Sequence, residues 1–189
     1  MKKFKITLNS PVILAFAAVC FVAMVCNYIT FGKSNQLLFA TYRSSLADPF
    51  TYIRLFTHVL GHSGWEHFIG NMAYILLLGP MLEEKYGASR ILAVIGITAV
   101  VTAIVNDILF ANVALCGASG VVFAFILLTS FTSFKKGELP ITVILVAVIF
   151  IGQQVYEGLF VNDNVSNLSH ILGGIIGAVI GYFTNRKAY

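Results

Sequence analysis

Charged residues are scarce in this chain of 189 residues, because Asp, Glu, Lys and Arg together make up only 11% of it. Hydrophobic residues make up 58%, whereas average proteins contain roughly 45–50% apolar residues. This composition excludes an ordinary soluble domain and indicates an integral membrane protein. The net charge of +4 raises nucleic-acid binding as an alternative. However, the basic residues lie between apolar segments rather than in one stripe, so we expect no nucleic-acid partner.

Cysteine and acidic residues are also few, which limits the sites that the chain can build. The three cysteines form no CxxC pair and no other metal-ligand spacing, so neither a zinc site nor a disulfide framework is indicated. We interpret Cys20, Cys26 and Cys116 as buried apolar side chains. No carboxylate cluster and no HExxH motif is present. We therefore expect no metal and no other cofactor.

Six apolar segments are each adequate, with some fraying or tilt, to cross a bilayer as a helix of about 20 residues. They span roughly 11–31, 66–82, 89–110, 117–134, 140–157 and 167–184. Backbone polar groups in lipid must be satisfied internally, so helices are expected, and the alternation typical of a membrane barrel is absent. The sequence thus predicts an all-α membrane protein with a single domain, 1–189, of six transmembrane helices.

The distribution of Lys and Arg predicts the orientation of these helices. Three lysines precede the first segment, which resembles a signal peptide, but its apolar run continues to about Ile29 and is long enough to span. We interpret it as a retained helix with a cytoplasmic N-terminus. Nine basic residues then lie inside: Lys2, Lys3, Lys5, Lys85, Arg90, Lys135, Lys136, Arg186 and Lys187. Only Lys33, Arg43 and Arg54 lie outside, as the positive-inside rule favours.

The first outer loop, roughly residues 32–65, is long but not hydrophilic. Large apolar side chains recur through it: Leu37, Leu38, Phe39, Tyr42, Phe50, Tyr52, Ile53, Leu55, Phe56, Val59 and Leu60. A solvated linker does not have this composition. We expect the loop to lie in the membrane interface or to pack against the helices.

Four polar side chains fall near the outer ends of three helices that run in the same direction. His67 and Asn71 lie at the start of the second helix, Ser119 at the start of the fourth, and His170 near the start of the sixth. The predicted topology therefore places all four at a similar depth in the outer half of the membrane. Polar groups at that depth are costly, which makes them candidates for function.

The residue types suit acyl transfer. Ser119 can supply a nucleophile and His170 a base, while His67 and Asn71, four residues apart on one helix face, can supply donors to an oxyanion. A serine at a helix N-terminus also meets unpaired backbone N–H groups and the positive end of the helix dipole. Gly117 and Gly120 flank it, where they allow a tight turn and a close approach to a substrate.

Small residues offer a way to bring these groups together. Gly173 and Gly177 are four apart, and this spacing lets the sixth helix approach a neighbour closely. If that neighbour is the fourth helix, His170 comes within reach of Ser119. Each feature alone has a structural explanation, since His170 could be a satisfied core histidine and Asn71 a link between helices. The combination at one depth favours chemistry.

These residues form an ordered set of motifs that resembles the rhomboid intramembrane serine proteases, most closely the small bacterial members. The matching motifs are His67-x-x-x-Asn71, Glu83-x-x-x-Gly87, Gly117-x-Ser119-Gly120 and His170-x-x-Gly173-x-x-x-Gly177. The resemblance covers nearly the whole chain, with the motifs in the right order and on the expected helices.

The resemblance implies a six-helix bundle with a Ser119–His170 dyad that opens to the outer, periplasmic face of the bacterial inner membrane. It also implies an oxyanion hole formed by Asn71, His67 and the backbone N–H of Ser119. The apolar first loop matches the family's membrane-embedded loop, and the fifth helix with the 158–166 loop matches its gate. The expected partners are transmembrane protein substrates and the lipid bilayer. The chain starts almost directly at its first helix, so we expect no cytosolic N-terminal domain.

Two positions depart from the family pattern. The Trp-Arg pair that is frequent in the first loop is Ile53-Arg54 here, and the Tyr that often follows the nucleophile by four residues is Phe123. Phe123 can still stack on His170. Four acidic residues lie near the outer surface but have no motif support as a third catalytic group: Glu66, Asp107, Glu157 and Asp163. We therefore predict a dyad in which packing, chiefly by Phe123, orients His170.

Three other functions remain alternatives. A transporter or channel would also place polar groups at half-depth, but no acidic residue lies convincingly inside a helix to couple ions. Metal or haem binding by His58, His62, His67 and His170 has helical spacing but lacks other ligands. An inactive binder of membrane helices would not require both Ser119 and His170. The protease interpretation explains more of the sequence than these three.

Overall fold

A computed structural model describes residues 7–132, 138–160 and 166–186. Its α-helices are α1 Pro11–Ile29, α2 Pro49–Thr57, α3 Trp65–Tyr86, α4 Ala88–Leu109, α5 Ser119–Ser130, α6 Ile141–Phe160 and α7 Asn167–Arg186. Within the described ranges no β-strand occurs, and extended chain pairs only at an isolated bridge between Thr41 and Leu115. The prediction of an all-α protein is confirmed.

Four helices of the described part are long and apolar enough to cross a bilayer, namely α1, α4, α6 and α7 up to Asn185. The prediction of an integral membrane protein is confirmed by these helices. Helix α3 has 22 residues but ends in charged ones, and α5 has only 12 residues. The crossing of the bilayer by α3 and α5, and hence the count of six, stays a prediction.

Helix α3 extends past its apolar part because Glu83 binds the beginning of α1. The carboxylate of Glu83 accepts hydrogen bonds from the backbone N–H of Val12 at 3.1 Å and of Ile13 at 3.0 Å. These are two of the N–H groups that a helix N-terminus leaves without a partner in the helix. The side chain of Ile13 fills the space beside Gly79, where a Cβ would lie 2.6 Å from it. Helices α1 and α3 are thereby joined at this end.

Helix α5 lies at the centre of the bundle. Its buried residues are Gly120, Val121, Val122, Ala124, Phe125, Ile126, Leu127 and Leu128. A helix that is apolar on every side is expected to be buried on every side. The contact with α7 is a backbone contact, because a Cβ on Gly173 would overlap the carbonyl oxygen of Gly120. A Cβ on Gly177 would overlap the carbonyl oxygen of Ala124 in the same way.

The first loop contains α2 and is held by Arg54, whose side chain is 2% exposed. The guanidinium forms an ion pair with Asp48 at 3.1 Å, donates to Ser44 Oγ at 2.9 Å and lies 4.6 Å from the ring centroid of Tyr42. Helix α2 packs against α4. Ile53, at the position where tryptophan is frequent, is largely exposed. Of the Ile53-Arg54 pair, the arginine therefore anchors the loop.

Candidate active site

Ser119 is the first residue of α5, and the turn before it brings the chain against α3. Gly117 has φ +131°, a conformation that favours glycine. Its N–H donates to the carbonyl of His58 at 2.9 Å. A Cβ at position 117 would lie 2.7 Å from Nε2 of His67, so no larger residue fits here. The tight turn thus places the N-terminus of α5 directly beside the imidazole of His67.

His67 and Asn71 face this turn from one side of α3. A Cβ on Gly117 would lie 3.7 Å from Asn71 Nδ2, so both side chains lie against the glycine that precedes Ser119 by two residues. The amide of Asn71 is buried, and among the residues that the structure describes none accepts a hydrogen bond from its Nδ2. His67 Nδ1 lies 3.1 Å from Ser63 Oγ, which leaves Nε2 on the side of Gly117.

His170 reaches the same region from α7. Its ring stacks on that of Phe123, with 4.5 Å between centroids and 5° between planes. Phe123 lies one turn after Ser119 on α5, and the carbonyl of Ser169 lies 3.4 Å from where a Cβ of Gly120 would be. Ser119 and His170 therefore sit on the two sides of the same helix contact. Phe123 therefore stacks on His170 as expected, although its ring carries no hydroxyl group.

Sequence reasoning missed Gln154. Its Oε1 lies 2.5 Å from Nδ1 of His170, and its Nε2 donates to Oε2 of Glu157 at 3.0 Å. Both His170 and Gln154 are buried. The available signal was a polar Gln153-Gln154 pair inside an otherwise apolar segment, three residues before Glu157. Of the other acidic residues considered, Asp107 accepts from Thr41 Oγ1, and Asp163 lies outside the described residues.

His58 and His62 lie in the segment between α2 and α3 and are fully buried. Burial lowers the pKa of His58 to about 4, and burial together with nearby His67 lowers the pKa of His62 to about 4. Both rings are therefore neutral at pH 7. His58 bonds the carbonyl of Arg54 through Nδ1 and lies 3.3 Å from Thr102 Oγ1 through Nε2. These contacts fix the loop beneath the turn at Gly117.

An apolar cleft of about 260 Å³ lies between α3, α5 and α6. Its walls include Tyr74, Leu77, Ile126, Val146 and Phe150. Within the described residues, no group of three or more His, Cys, Asp or Glu is placed to hold a metal ion. The site thus has polar groups at the ends of α3, α5 and α7, and an apolar cleft lies farther along α3 and α5, beside α6.

Comparison with known proteins places the chain among relatives of one kind. A family model described as Rhomboid domain matches residues 49–187. The chain is 22% identical to Rhomboid protease GlpG of Haemophilus influenzae over 98% of its own length and 96% of that protein. It is 28% identical to Rhomboid-related protein 1 of Caenorhabditis elegans and to Rhomboid-related protein 2 of Mus musculus. These matches span 68% and 72% of the chain, but only 39% and 52% of those two proteins.

Proposed function

The chain belongs to the rhomboid family, and from this membership we propose that it is an intramembrane serine endopeptidase with Ser119 as nucleophile and His170 as general base. One observation supports the assignment of roles above others. The amide of Asn71 from α3 lies against the turn that leads into Ser119, and the ring of His170 from α7 stacks on Phe123, one turn after Ser119 on α5.

In the acylation step, Ser119 Oγ attacks the carbonyl carbon of a substrate peptide bond while Nε2 of His170 accepts the hydroxyl proton. The carbonyl oxygen becomes an oxyanion. Asn71 Nδ2, His67 Nε2–H and the backbone N–H of Ser119 donate hydrogen bonds to it. The Ser119 N–H is one of the donors that a helix N-terminus leaves unpaired, and the dipole of α5 also favours negative charge there.

Collapse of the tetrahedral intermediate breaks the C–N bond. His170 returns the proton to the leaving amine, and the acyl group remains on Ser119. Water then attacks the ester carbon while His170 again accepts a proton, and the product acid leaves with Ser119 regenerated. The two histidine roles require one imidazole that alternates between neutral and charged forms at a fixed position.

The substrate is a membrane protein whose transmembrane helix unwinds near the cleaved bond, because peptide bonds inside an intact helix are not presented to a nucleophile. The apolar cleft between α3, α5 and α6 offers a surface for the part that remains helical. Gly or Pro near the cut eases unwinding. Two helices that line this cleft thus also carry Asn71 and Ser119.

We further propose a single domain of six transmembrane helices in the bacterial inner membrane, with both termini in the cytoplasm and the site open to the periplasmic face. This orientation is supported by the charge distribution, because it puts nine Lys and Arg residues on the cytoplasmic side and three on the outer side. Helices α3, α5 and α7 then enter from the outer face, so that their polar residues share one depth.

The test is cleavage of a single-pass helix substrate by purified protein, with wild type, Ser119→Ala and His170→Ala compared in detergent. We expect cleavage by the wild type and none by either variant, because one lacks the nucleophile and the other the base. Thermal unfolding of each variant controls for folding. Cleavage that survives Ser119→Ala in folded protein would contradict the assignment.

A further inference from the structure

We propose that Gln154 is a positioning residue that fixes the protonation form of His170, with Glu157 fixing Gln154 in turn. This inference rests on the proposed function of the same site. The starting point is the contact between Gln154 Oε1 and His170 Nδ1 at 2.5 Å, between two buried side chains. A buried hydrogen bond of this length restricts both partners.

Glu157 determines which end of the amide faces His170. An ionised carboxylate only accepts hydrogen bonds, so the Gln154 group that lies 3.0 Å from Glu157 Oε2 has to be the NH₂ end. The second oxygen of Glu157 accepts from Gln153 Nε2 at 2.8 Å, which holds the carboxylate in place. The carbonyl oxygen of Gln154 is consequently the atom that faces the imidazole.

That oxygen determines the tautomer of the histidine. An amide oxygen cannot donate, so Nδ1 of His170 has to carry the proton. The neutral ring then accepts its second proton at Nε2, which is the tautomer that a general base beside Ser119 requires. Asp or Asn holds this position in other serine and cysteine proteases. In this chain a glutamine holds that position. Gln154 belongs to α6, whereas His170 belongs to α7 and Ser119 to α5.

The location of Gln154 adds a consequence. Helix α6 buries only Val143 and Gln154 among its residues, so Gln154 is one of two places where this helix is enclosed by the bundle. Phe123 holds the face of the imidazole from α5, whereas Gln154 holds its edge from α6. A displacement of α6 would therefore release the edge of His170, whereas the ring stacked on its face belongs to α5.

The experiment compares Gln154→Met, which keeps the size but removes the acceptor, with Ile149→Met as a size-matched control on the exposed side of α6. Both are assayed with the wild type for substrate cleavage and for labelling of Ser119 by a fluorophosphonate. We expect Gln154→Met to lower kcat and the labelling rate roughly 10- to 100-fold, less than the about 10⁴-fold loss in kcat that a wrong tautomer causes in Ser-His-Asp enzymes. KM should not change, and Ile149→Met should stay within about twofold of the wild type.

A spectroscopic measurement tests the same inference without relying on enzyme activity. In protein with ¹⁵N-labelled histidine, the imidazole shifts of His170, assigned by their loss in His170→Ala, should show the Nδ1–H tautomer in the wild type and a mixture in Gln154→Met. The Nε2–H tautomer in active wild type, or equal kcat in folded Gln154→Met, overturns the inference and leaves the proposed function intact. A wild type that neither cleaves nor labels overturns the proposed function itself.

Discussion

Two regions of this molecule differ in how they are packed. The inner block of α3, α5 and α7 is held by contacts that tolerate no added atom, at Gly117 against His67 and at Gly173 against Gly120. Helix α6 shows the opposite, since Gly152 has open space around it and large apolar side chains along it are exposed: Ile141, Ile144, Leu145, Val148, Ile149, Val155, Tyr156, Leu159 and Phe160.

The difference in packing shows that α3, α5 and α7 have fixed relative positions, whereas α6 is less constrained. Ser119, Asn71 and His170 all belong to the inner block. The backbones of α5 and α7 touch there and side chains of α3 lie against Gly117, so close packing determines the spacing of the three residues. Helix α6 adds one polar contact, through Gln154, and a ring contact of Phe150 with Phe123. We expect damage to the inner block to affect chemistry strongly and damage to the exposed face of α6 to affect it little.

After loss of Ser119 or His170 itself, the largest effect within the inner block is expected from Asn71→Ala. Loss of one oxyanion donor typically costs about 10²–10³-fold in kcat. Because the donor acts on charge that develops only in the transition state, kcat should fall while KM stays near the wild-type value. Steady-state cleavage of a helix substrate measures both constants. An unchanged kcat with a raised KM would instead make Asn71 a residue of ground-state binding.

A smaller loss is expected from Gly173→Ala, which places a Cβ onto the carbonyl oxygen of Gly120. The two helices have to separate, and displacement of catalytic groups by about 1 Å can cost 10²-fold in rate. Overpacking should also reduce the free energy of unfolding by about 1–3 kcal/mol. Cleavage rates and thermal unfolding measure the two effects.

Gly174→Ala is the matched control for that substitution. Its Cβ would meet only the side chains of Ile151 and Leu127, at 3.4 Å and 3.5 Å, which is ordinary contact. Gly152→Ala on α6 meets nothing within 4 Å. Both variants should keep wild-type activity. Equal losses from Gly173→Ala and Gly152→Ala would remove the distinction between the two regions.

The smallest effect is expected from Phe123→Ala, which removes the ring stacked on His170 at 4.5 Å. Aromatic pairs contribute about 0.5–1.5 kcal/mol beyond their buried area, so kcat should fall roughly 2- to 10-fold, with a smaller change in thermal stability. Phe123→Tyr keeps the ring and should retain activity. An unchanged turnover in Phe123→Ala would show that the stack does not orient the histidine.

Hydropathy and charge predicted much of this arrangement, because membrane depth is set by sequence position along each helix. The apolar segments and the expected direction of each helix predict a similar depth for His67, Asn71, Ser119 and His170, and this depth stays a prediction. The roles of these four residues stay predictions. Helix α2 was not predicted, although Asp48-Pro49 is a start signal for a helix: Asp48 accepts from the N–H of Phe50 at 3.0 Å.

The polar Gln153-Gln154 pair is visible in the sequence, but the contact of Gln154 with His170 could not be predicted, for a physical reason. A helix that is apolar on nearly every side, as α6 is, gives no periodicity from which its rotation about its own axis can be read. The side chain that points inward is decided by the packing of α6 on α7, not by the local pattern. From the sequence, the helix of Ser119 was only a conditional neighbour of Gly173 and Gly177, and the structure packs both glycines against that helix, α5.

The most direct test of the central claim is to identify the residue that a fluorophosphonate modifies in the active wild-type protein. Peptide mass spectrometry after labelling should find the phosphonyl group on Ser119, and His170→Ala should abolish the modification because the base is gone. Modification at another residue, or cleavage activity that persists while Ser119 stays unmodified under saturating probe, would contradict the account.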